Sequence, residues 1–304
     1  MVAHKGASLN NNLRLTAALS ASAMRRPPPR IVAWHHDLAW TAGQYRAELH
    51  AGWPWDLLRT DWAHGHVVVS GPRRAELAAL MGIDAERIDV VPNGVDPATL
   101  LALPPAAAAL VEALDLTAAA PMLLLPARLT VRKNIELALA ALAHLRSTMP
   151  DARLVVTGPL GPHNPANAGY LDRLRALRDT LGLAGAAHFL AEVLPQPLSD
   201  PEVAALYRVA DGIVLPSFEE GFGIPVLEAA LARRPVFAAD IPSLRELGGR
   251  DATWFDPQGP PEAVAAAIAG RLAADPVYRL AVRVRAEYAW PRIFSTRITP
   301  VLRL

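Results

Sequence analysis

The sequence predicts an α/β chain built from two doubly wound units. Three observations carry that expectation. From Pro121 onward, short apolar runs alternate regularly with helix-period segments, the pattern of a parallel sheet covered by helices. Those runs are continuous rather than alternating in polarity, as strands hidden on both faces require. The chain has 304 residues, a length that suggests two domains rather than one.

In chain order, Val2-Ala3 reads as the tail of a strand, and Leu13 to Ala23 as a helix with Leu15, Ala18 and Leu19 on one face. Arg25-Arg-Pro-Pro-Pro-Arg30 is a break, because three prolines cannot continue a helix. Ile31–Trp34 reads as a strand, followed by His35-His36-Asp37 and a loop holding Trp40, Tyr45, Trp53 and Trp55. Those aromatics are expected to pack the loop rather than to form an acceptor surface. His66–Val69 reads as a strand, Pro72–Met81 as a helix and Ile88–Val91 as a strand, before the turn-dense Pro92-Asn-Gly-Val-Asp-Pro97. Residues 1–95 thus form a first unit with three clear strands, which is expected to be short. Residues 96–120 read as a connector with one helix.

The second unit is expected over 121–285. Its strands fall at Met122–Leu125, Arg153–Thr157, Ala187–Leu190, Gly212–Leu215, Pro235–Ala238 and Thr253–Phe255. Helices fit at Asn134–Arg146, Tyr170–Leu181, Glu202–Ala210, Pro225–Arg233, Ser243–Leu247 and Glu262–Ala274. Such sheets bind ligands at the carboxyl ends of their strands. Residues 286–304 form a terminal segment.

Composition excludes several function classes. The net charge of +1 argues against nucleic acid held by bulk electrostatics. With no cysteines, disulfides, thiolate nucleophiles and Cys-based zinc sites are out. No apolar run reaches the length of a membrane span, and Met1-Val-Ala-His-Lys-Gly6 lacks the apolar core of a signal peptide. A soluble cytoplasmic protein is the expectation, with peripheral membrane contact through a surface patch left open.

The chemistry concentrates in Pro216-Ser-Phe-Glu-Glu-Gly-Phe-Gly-Ile-Pro-Val-Leu-Glu228. An apolar strand, a Gly221-Phe222-Gly223 turn and a helix start marked by Pro225 are a recipe for holding an anion. Yet Glu220 and Glu228 stand in the same stretch with seven residues between them. Carboxylates beside an anion site fit a polyol attached to that anion, as in a sugar nucleotide. Glu228, amid Val226, Leu227, Ala229 and Ala230, is expected to be paired or hydrogen-bonded. Arg128 and Lys133, just past the first strand of the second unit, read either as a diphosphate clamp or as two surface cations. Thr157-Gly158-Pro159 and the loop to Asn167 follow the next strand; Gly158 fits a tight turn or a close backbone approach.

Glu220-Gly-Phe-Gly-Ile-Pro-Val-Leu-Glu228 resembles the E-x7-E motif of retaining glycosyltransferases of the GT-B fold, family GT4. Val91-Pro-Asn-Gly-Val-Asp96, Ala127-Arg-Leu-Thr-Val-Arg-Lys133 and Ala210-Asp-Gly-Ile-Val-Leu-Pro-Ser217 resemble further segments of that family in the same order, over about residues 30–295. The resemblance implies two Rossmann-like domains, the C-terminal one complete and the N-terminal one truncated. It implies that Arg128 and Lys133 hold the donor diphosphate and that Glu220 contacts sugar hydroxyls. The backbone of Gly221, Phe222, Gly223 and Ile224 would lie near sugar and phosphates, and Glu228 would bind the ribose. No metal or other cofactor is expected, because cations and N–H dipoles neutralise the leaving group. Many members carry a His near the reacting sugar; His36 matches best, with His35 adjacent as the alternative. Trp290, in the closing segment Tyr288–Phe294, is expected to pack. The family's opening strand and Gly-rich loop have no counterpart before residue 30.

The expected activity is transfer of a hexose from a nucleoside-diphosphate sugar to a hydroxyl acceptor (sugar, glycerate-like or lipid-linked) with retention. The alternatives are a nucleotide-sugar-binding protein without turnover and a GT-B epimerase, against which the E-x7-E spacing speaks.

Overall fold

The computed structural model describes residues 1–159 and 166–302, with the side chains of 166–168 left aside. The chain divides into two compact units: Met1–Val95 with Glu287–Leu304, and Asp96–Ala286.

The first unit is a parallel sheet of β1 (Val2–His4), β2 (Val32–His35), β3 (Gly65–Val68) and β4 (Ile88–Val90), in the order β1-β2-β3-β4. Helix α1 (Leu13–Ala23) joins β1 to β2 and α2 (Gly71–Met81) joins β3 to β4. Asn12 caps α1 by accepting from the Leu15 amide, Ser70 caps α2, and Gly82 ends α2 at φ 65°, the left-handed stop that glycine takes without strain. The aromatic loop between β2 and β3 winds into two short 3-10 turns, Gly43–Glu48 and Trp55–Arg59. The Trp40 indole donates to the Trp55 carbonyl and the Trp55 indole to the Glu48 carbonyl, both at 3.2 Å. Trp40 and Tyr45 also pack on Leu9, Ala39 and Leu58. Packing therefore describes these three aromatics. It does not describe Trp53, which is 74% exposed.

The second unit opens with α3 (Pro97–Leu100) and α4 (Pro105–Ala113). Ala107, Leu110 and Val111 of α4 are buried; Leu110 and Val111 lie in the same apolar cluster as Met122, Leu124 and Ile213. Next come β5 (Met122–Leu125), α5 (Ile135–Leu145), β6 (Arg153–Val156), α6 (Ala166–Thr180), β7 (Ala187–Phe189) and α7 (Leu190–Val193). Then follow α8 (Asp200–Val209), β8 (Gly212–Leu215), α9 (Ile224–Leu231), β9 (Val236–Ala239), α10 (Pro242–Gly248), β10 (Thr253–Phe255) and α11 (Pro261–Ala274). Among the described residues the sheet is all parallel, ordered β10-β9-β8-β5-β6-β7. Chain order reverses between β5 and β8, which makes that pair the topological switch point where such sheets take ligands. Its apolar residues form clusters on both faces of the sheet, as continuous apolar strands require. Buried Asp211 fixes the start of this strand pair: it accepts from the Met122 amide at 2.8 Å and from both Arg285 terminal nitrogens at 3.0 and 2.8 Å.

Several boundaries differ from the sequence reading: β2, β3 and β9 are shifted by one residue, α6 starts at Ala166 rather than Tyr170, and the 96–120 connector holds two helices rather than one. Leu190, expected at the end of a strand, starts α7. Helix α8 starts at Asp200, because Ser199 and Glu202 form a capping box ahead of it. After α12 (Pro276–Tyr288), α13 (Trp290–Ile293) and α14 (Thr299–Leu302) belong to the first unit. There Ile293 packs with Val32, Trp34, Val67 and Val91. The Trp290 ring lies against Gly94 so closely that a Cβ at that glycine would come within 2.6 Å of it. Trp290 thus packs, while remaining 43% exposed. No helix among the described residues is long and apolar enough to cross a membrane.

Candidate functional site

At the switch point, the loop after β5 and the loop after β8 are stitched together. The Phe218 amide donates to the Arg132 carbonyl at 2.9 Å, and the Arg132 guanidinium donates to the Glu219 carbonyl at 3.2 Å. Asn134, buried and left-handed at φ 50°, donates through Nδ2 to the carbonyls of Pro216 at 3.0 Å and Pro257 at 2.9 Å. One side-chain amide therefore ties the loop after β5 to the ends of β8 and β10. Asparagine tolerates the left-handed region better than most residues.

Within this frame, Lys133 and Glu220 meet. The ammonium donates to Glu220 Oε1, and the two side chains are only 11% and 9% exposed. Ser217 Oγ donates to the same carboxylate oxygen at 2.7 Å, and Arg132 approaches the other at 3.5 Å. Lys133 is thus a buried, paired cation, and the surface-cation reading does not hold for it. Arg128 is exposed and has no ion-pair partner among the described residues. Glu219 is exposed, as a solvated loop acid should be.

The turn that follows is built for close approach. Gly223 sits at φ +102° as N-cap of α9, with Pro225 in the first turn. Among the described residues no backbone carbonyl accepts from the amides of Gly221, Phe222, Gly223 or Ile224. Unsatisfied amides at a helix start favour an anion. Phe222 and Ile224 are 56% and 57% exposed, and nothing lies within 4 Å of a Cβ placed on Gly221. Gly158 is a different case. A Cβ there would stand 2.0 Å from the Ala127 carbonyl oxygen and 2.3 Å from the Arg128 Cα. Of the two sequence readings, the close backbone approach is the right one: the loops after β5 and β6 touch, and the Leu129 amide donates to the Pro159 carbonyl at 3.1 Å. The continuation of that loop, 160–165, and the Asn167 side chain lie outside the described residues.

Glu228, on α9, is paired as expected. The Tyr207 phenol on α8 donates to its Oε2 at 2.6 Å. Burial, and then the Glu228 bond, push the Tyr207 hydroxyl above its ordinary range, so it remains a donor. The pair lines a groove of about 520 Å³ between α8 and α9, with Asp200, Val203, Ala204, Arg208 and Leu231. A second cavity, of about 250 Å³, lies beyond β6 and β7 and is lined by Thr157, Pro159, Leu190, Leu194, Gln196 and Leu198. Tyr207, Asn134 and this cavity escaped the sequence reading. Tyr207 lies inside an apolar helix pattern and looks like core until its hydroxyl partner is known.

In the first unit, the two adjacent histidines part company. His35, the last residue of β2, is 1% exposed and meets His66 Nδ1 through Nε2 at 3.1 Å; His66 Nε2 meets Asp61 Oδ1 at 2.9 Å. Burial, with His66 and His36 adding to it, lowers the pKa of His35 to about 3. His36 stands past the strand end, partly exposed, with its Nε2 at 2.9 Å from His4 Nε2. Burial first, then His4 and Lys5, lower its pKa. His36 is the histidine open to a ligand. Among the described residues no group of three or more His, Asp or Glu side chains is placed to hold a metal ion.

This switch-point arrangement has relatives. The family described as "Glycosyl transferases group 1" matches residues 120–274, and "Glycosyltransferase Family 4" matches residues 10–99. The chain belongs to the group 1 glycosyl transferases. Its two α/β units, each with a parallel sheet, are those of the GT-B class. Among similar curated proteins, the D-inositol 3-phosphate glycosyltransferase of Xylanimonas cellulosilytica is 35% identical over 185 residues, 59% of this chain and 41% of that protein. The protein of the same name from Mycolicibacterium gilvum is 32% identical over 230 residues, 74% of this chain and 48% of that protein. The chain therefore spans less than half the length of these relatives. Among solved structures, sucrose-phosphate synthase from Thermosynechococcus elongatus aligns with a TM-score of 0.46 and 23% identity, covering 95% of this chain and 77% of that one.

Proposed function

We propose that the second unit binds a nucleoside-diphosphate sugar and that the chain transfers its hexose to an acceptor hydroxyl with retention at the anomeric carbon. The observation that carries this reading is the Lys133–Glu220 pair at the β5/β8 switch point, beside the open amides of Gly221–Ile224, in a chain of the group 1 family. In this reading Lys133 and Arg128 neutralise the diphosphate and the open amides add partial positive charge. Glu220 accepts from sugar hydroxyls and Glu228 from the ribose. His36, by the family pattern, serves the side of the reacting sugar. The bond from the anomeric carbon to the phosphate oxygen breaks as the acceptor oxygen attacks the same face, and the departing phosphate oxygen takes the acceptor proton. No metal is required, because cations and amides carry the leaving-group charge. The cavity lined by Thr157, Leu190 and Gln196 has room for a nucleobase.

The test is transfer from radiolabelled UDP-, GDP- and ADP-sugars to a panel of sugar, glycerate-like and lipid-linked alcohols, with the product anomer assigned by NMR. A retained anomer, lost on Glu220→Gln, is expected. An inverted anomer, or transfer indifferent to Glu220→Gln, would sink the reading. Binding without transfer to any acceptor would reduce the function to nucleotide-sugar binding.

A further inference from the structure

We propose that Tyr207 is a positioning residue for nucleotide recognition: its hydroxyl fixes one oxygen of Glu228 so that the other accepts from the ribose diol. This rests on the reading of Glu228 as the ribose-binding carboxylate.

Glu228 is on the fifth residue of α9, one turn past the open amides of Gly221–Ile224. It is exposed, in a helix whose inner face is taken by Val226 and Ala229. A glutamate so placed has three free side-chain torsions, and ordering them costs entropy when a ligand binds. Tyr207 removes much of that cost. Its ring is buried, 3% exposed, in the apolar cluster beneath α8 and α9, so the hydroxyl is a fixed point. It donates to Oε2 at 2.6 Å, while Oε1 has no hydrogen-bond partner among the described residues. A carboxylate anchored through one oxygen presents the other at a set position. That is what a vicinal diol needs if it is to be read by hydrogen bonds. The groove alongside is lined by Asp200, the first residue of α8, as well as by Tyr207 and Glu228. Because α8 leads into β8, its start lies toward the carboxyl edge of the sheet, the ligand-binding side.

The experiment is calorimetric binding of UDP, GDP and ADP and of their 2′,3′-dideoxy counterparts to the full chain and to Tyr207→Phe, Glu228→Gln and Glu228→Asp. The wild type is expected to prefer the ribonucleotide it binds best over the dideoxy form by about tenfold, the value of a charged hydrogen bond. Tyr207→Phe, which removes one oxygen and leaves the ring packed, should cut that preference severalfold while leaving dideoxy affinity unchanged. Glu228→Asp keeps the charge but withdraws the carboxylate from Tyr207, and should do the same. If Glu228→Gln retains the full preference, the ribose reading of Glu228 fails, and the proposal with it. If Glu228→Gln loses the preference while Tyr207→Phe and Glu228→Asp both keep it, the ribose reading stands and the role of Tyr207 is overturned. Equal loss of ribo and dideoxy affinity in Tyr207→Phe would also overturn it, since that marks a structural tie.

Discussion

The two sheets end in unlike chemistry. At the carboxyl edge of the second unit, Lys133 and Glu220 are charged, buried and paired, and four carbonyl or carboxylate bonds from Arg132, Asn134 and Ser217 brace the loops around them. At the edge of the first unit, two histidine pairs meet, His35 with His66 and His4 with His36. Burial keeps His35 neutral. Opposite charges held apart from water can be redistributed onto a ligand that is itself part anion and part polyol. At the first edge, burial leaves His35 a packed, uncharged side chain, and His36 is the histidine open to a ligand.

Acid acts most strongly on the first unit. His35 has a lowered folded pKa of about 3. The folded chain leaves it neutral, whereas the unfolded chain protonates it below its ordinary value near 6.5. Its contribution is therefore whole above about pH 6.5 and is lost progressively as pH falls toward 3. We expect stability to drop by about 3 kcal/mol between pH 6.5 and 4 through this group. Denaturant titrations across that range should show a slope that His35→Gln flattens. An unchanged slope would place the acid sensitivity elsewhere.

Gly158→Ala strikes the second unit instead. A Cβ 2.0 Å from a backbone oxygen cannot be relieved by a rotamer change, so the loops after β5 and β6 must separate. A loss of about 3 kcal/mol in unfolding free energy is expected, with weakened nucleotide binding. Asn134→Ala comes next. It leaves the Pro216 and Pro257 carbonyls without their donor and removes a side chain suited to φ 50°. A cost of about 2 kcal/mol is expected, read by the same titration at neutral pH. Trp53→Ala is the smallest change. At 74% exposure the ring packs on little, and stability should stay within about 0.5 kcal/mol.

What was legible in the sequence follows the same division. The doubly wound second unit could be read because six short apolar runs recur at regular spacing, and sites in such a sheet fall after its strands. Glu220, Lys133, Gly158 and the Gly223 turn all lie there. The partners were not legible. Lys133 and Glu220 are separated by 87 positions, and nothing in the periodicity says that the cation is buried. Glu228 announced that it needed a partner, since it stands among apolar residues. That the partner is Tyr207, 21 positions earlier on another helix, is a fact of packing. In the first unit His4 and His36 sit 32 positions apart and meet only because β1 and β2 pair in parallel. Choosing between His35 and His36 needed the strand's end point, which fixes one inward and the other outward.

The proposed diphosphate role of the β5/β8 edge stands or falls on one titration. UDP, GDP and ADP are titrated into the full chain and into Lys133→Ala at low and at physiological salt. The wild type is expected to bind at least one of the three, more weakly as salt rises, and Lys133→Ala to lose about tenfold or more of that affinity. Binding of equal strength in Lys133→Ala, or no binding of any of the three by a folded wild type, would contradict it.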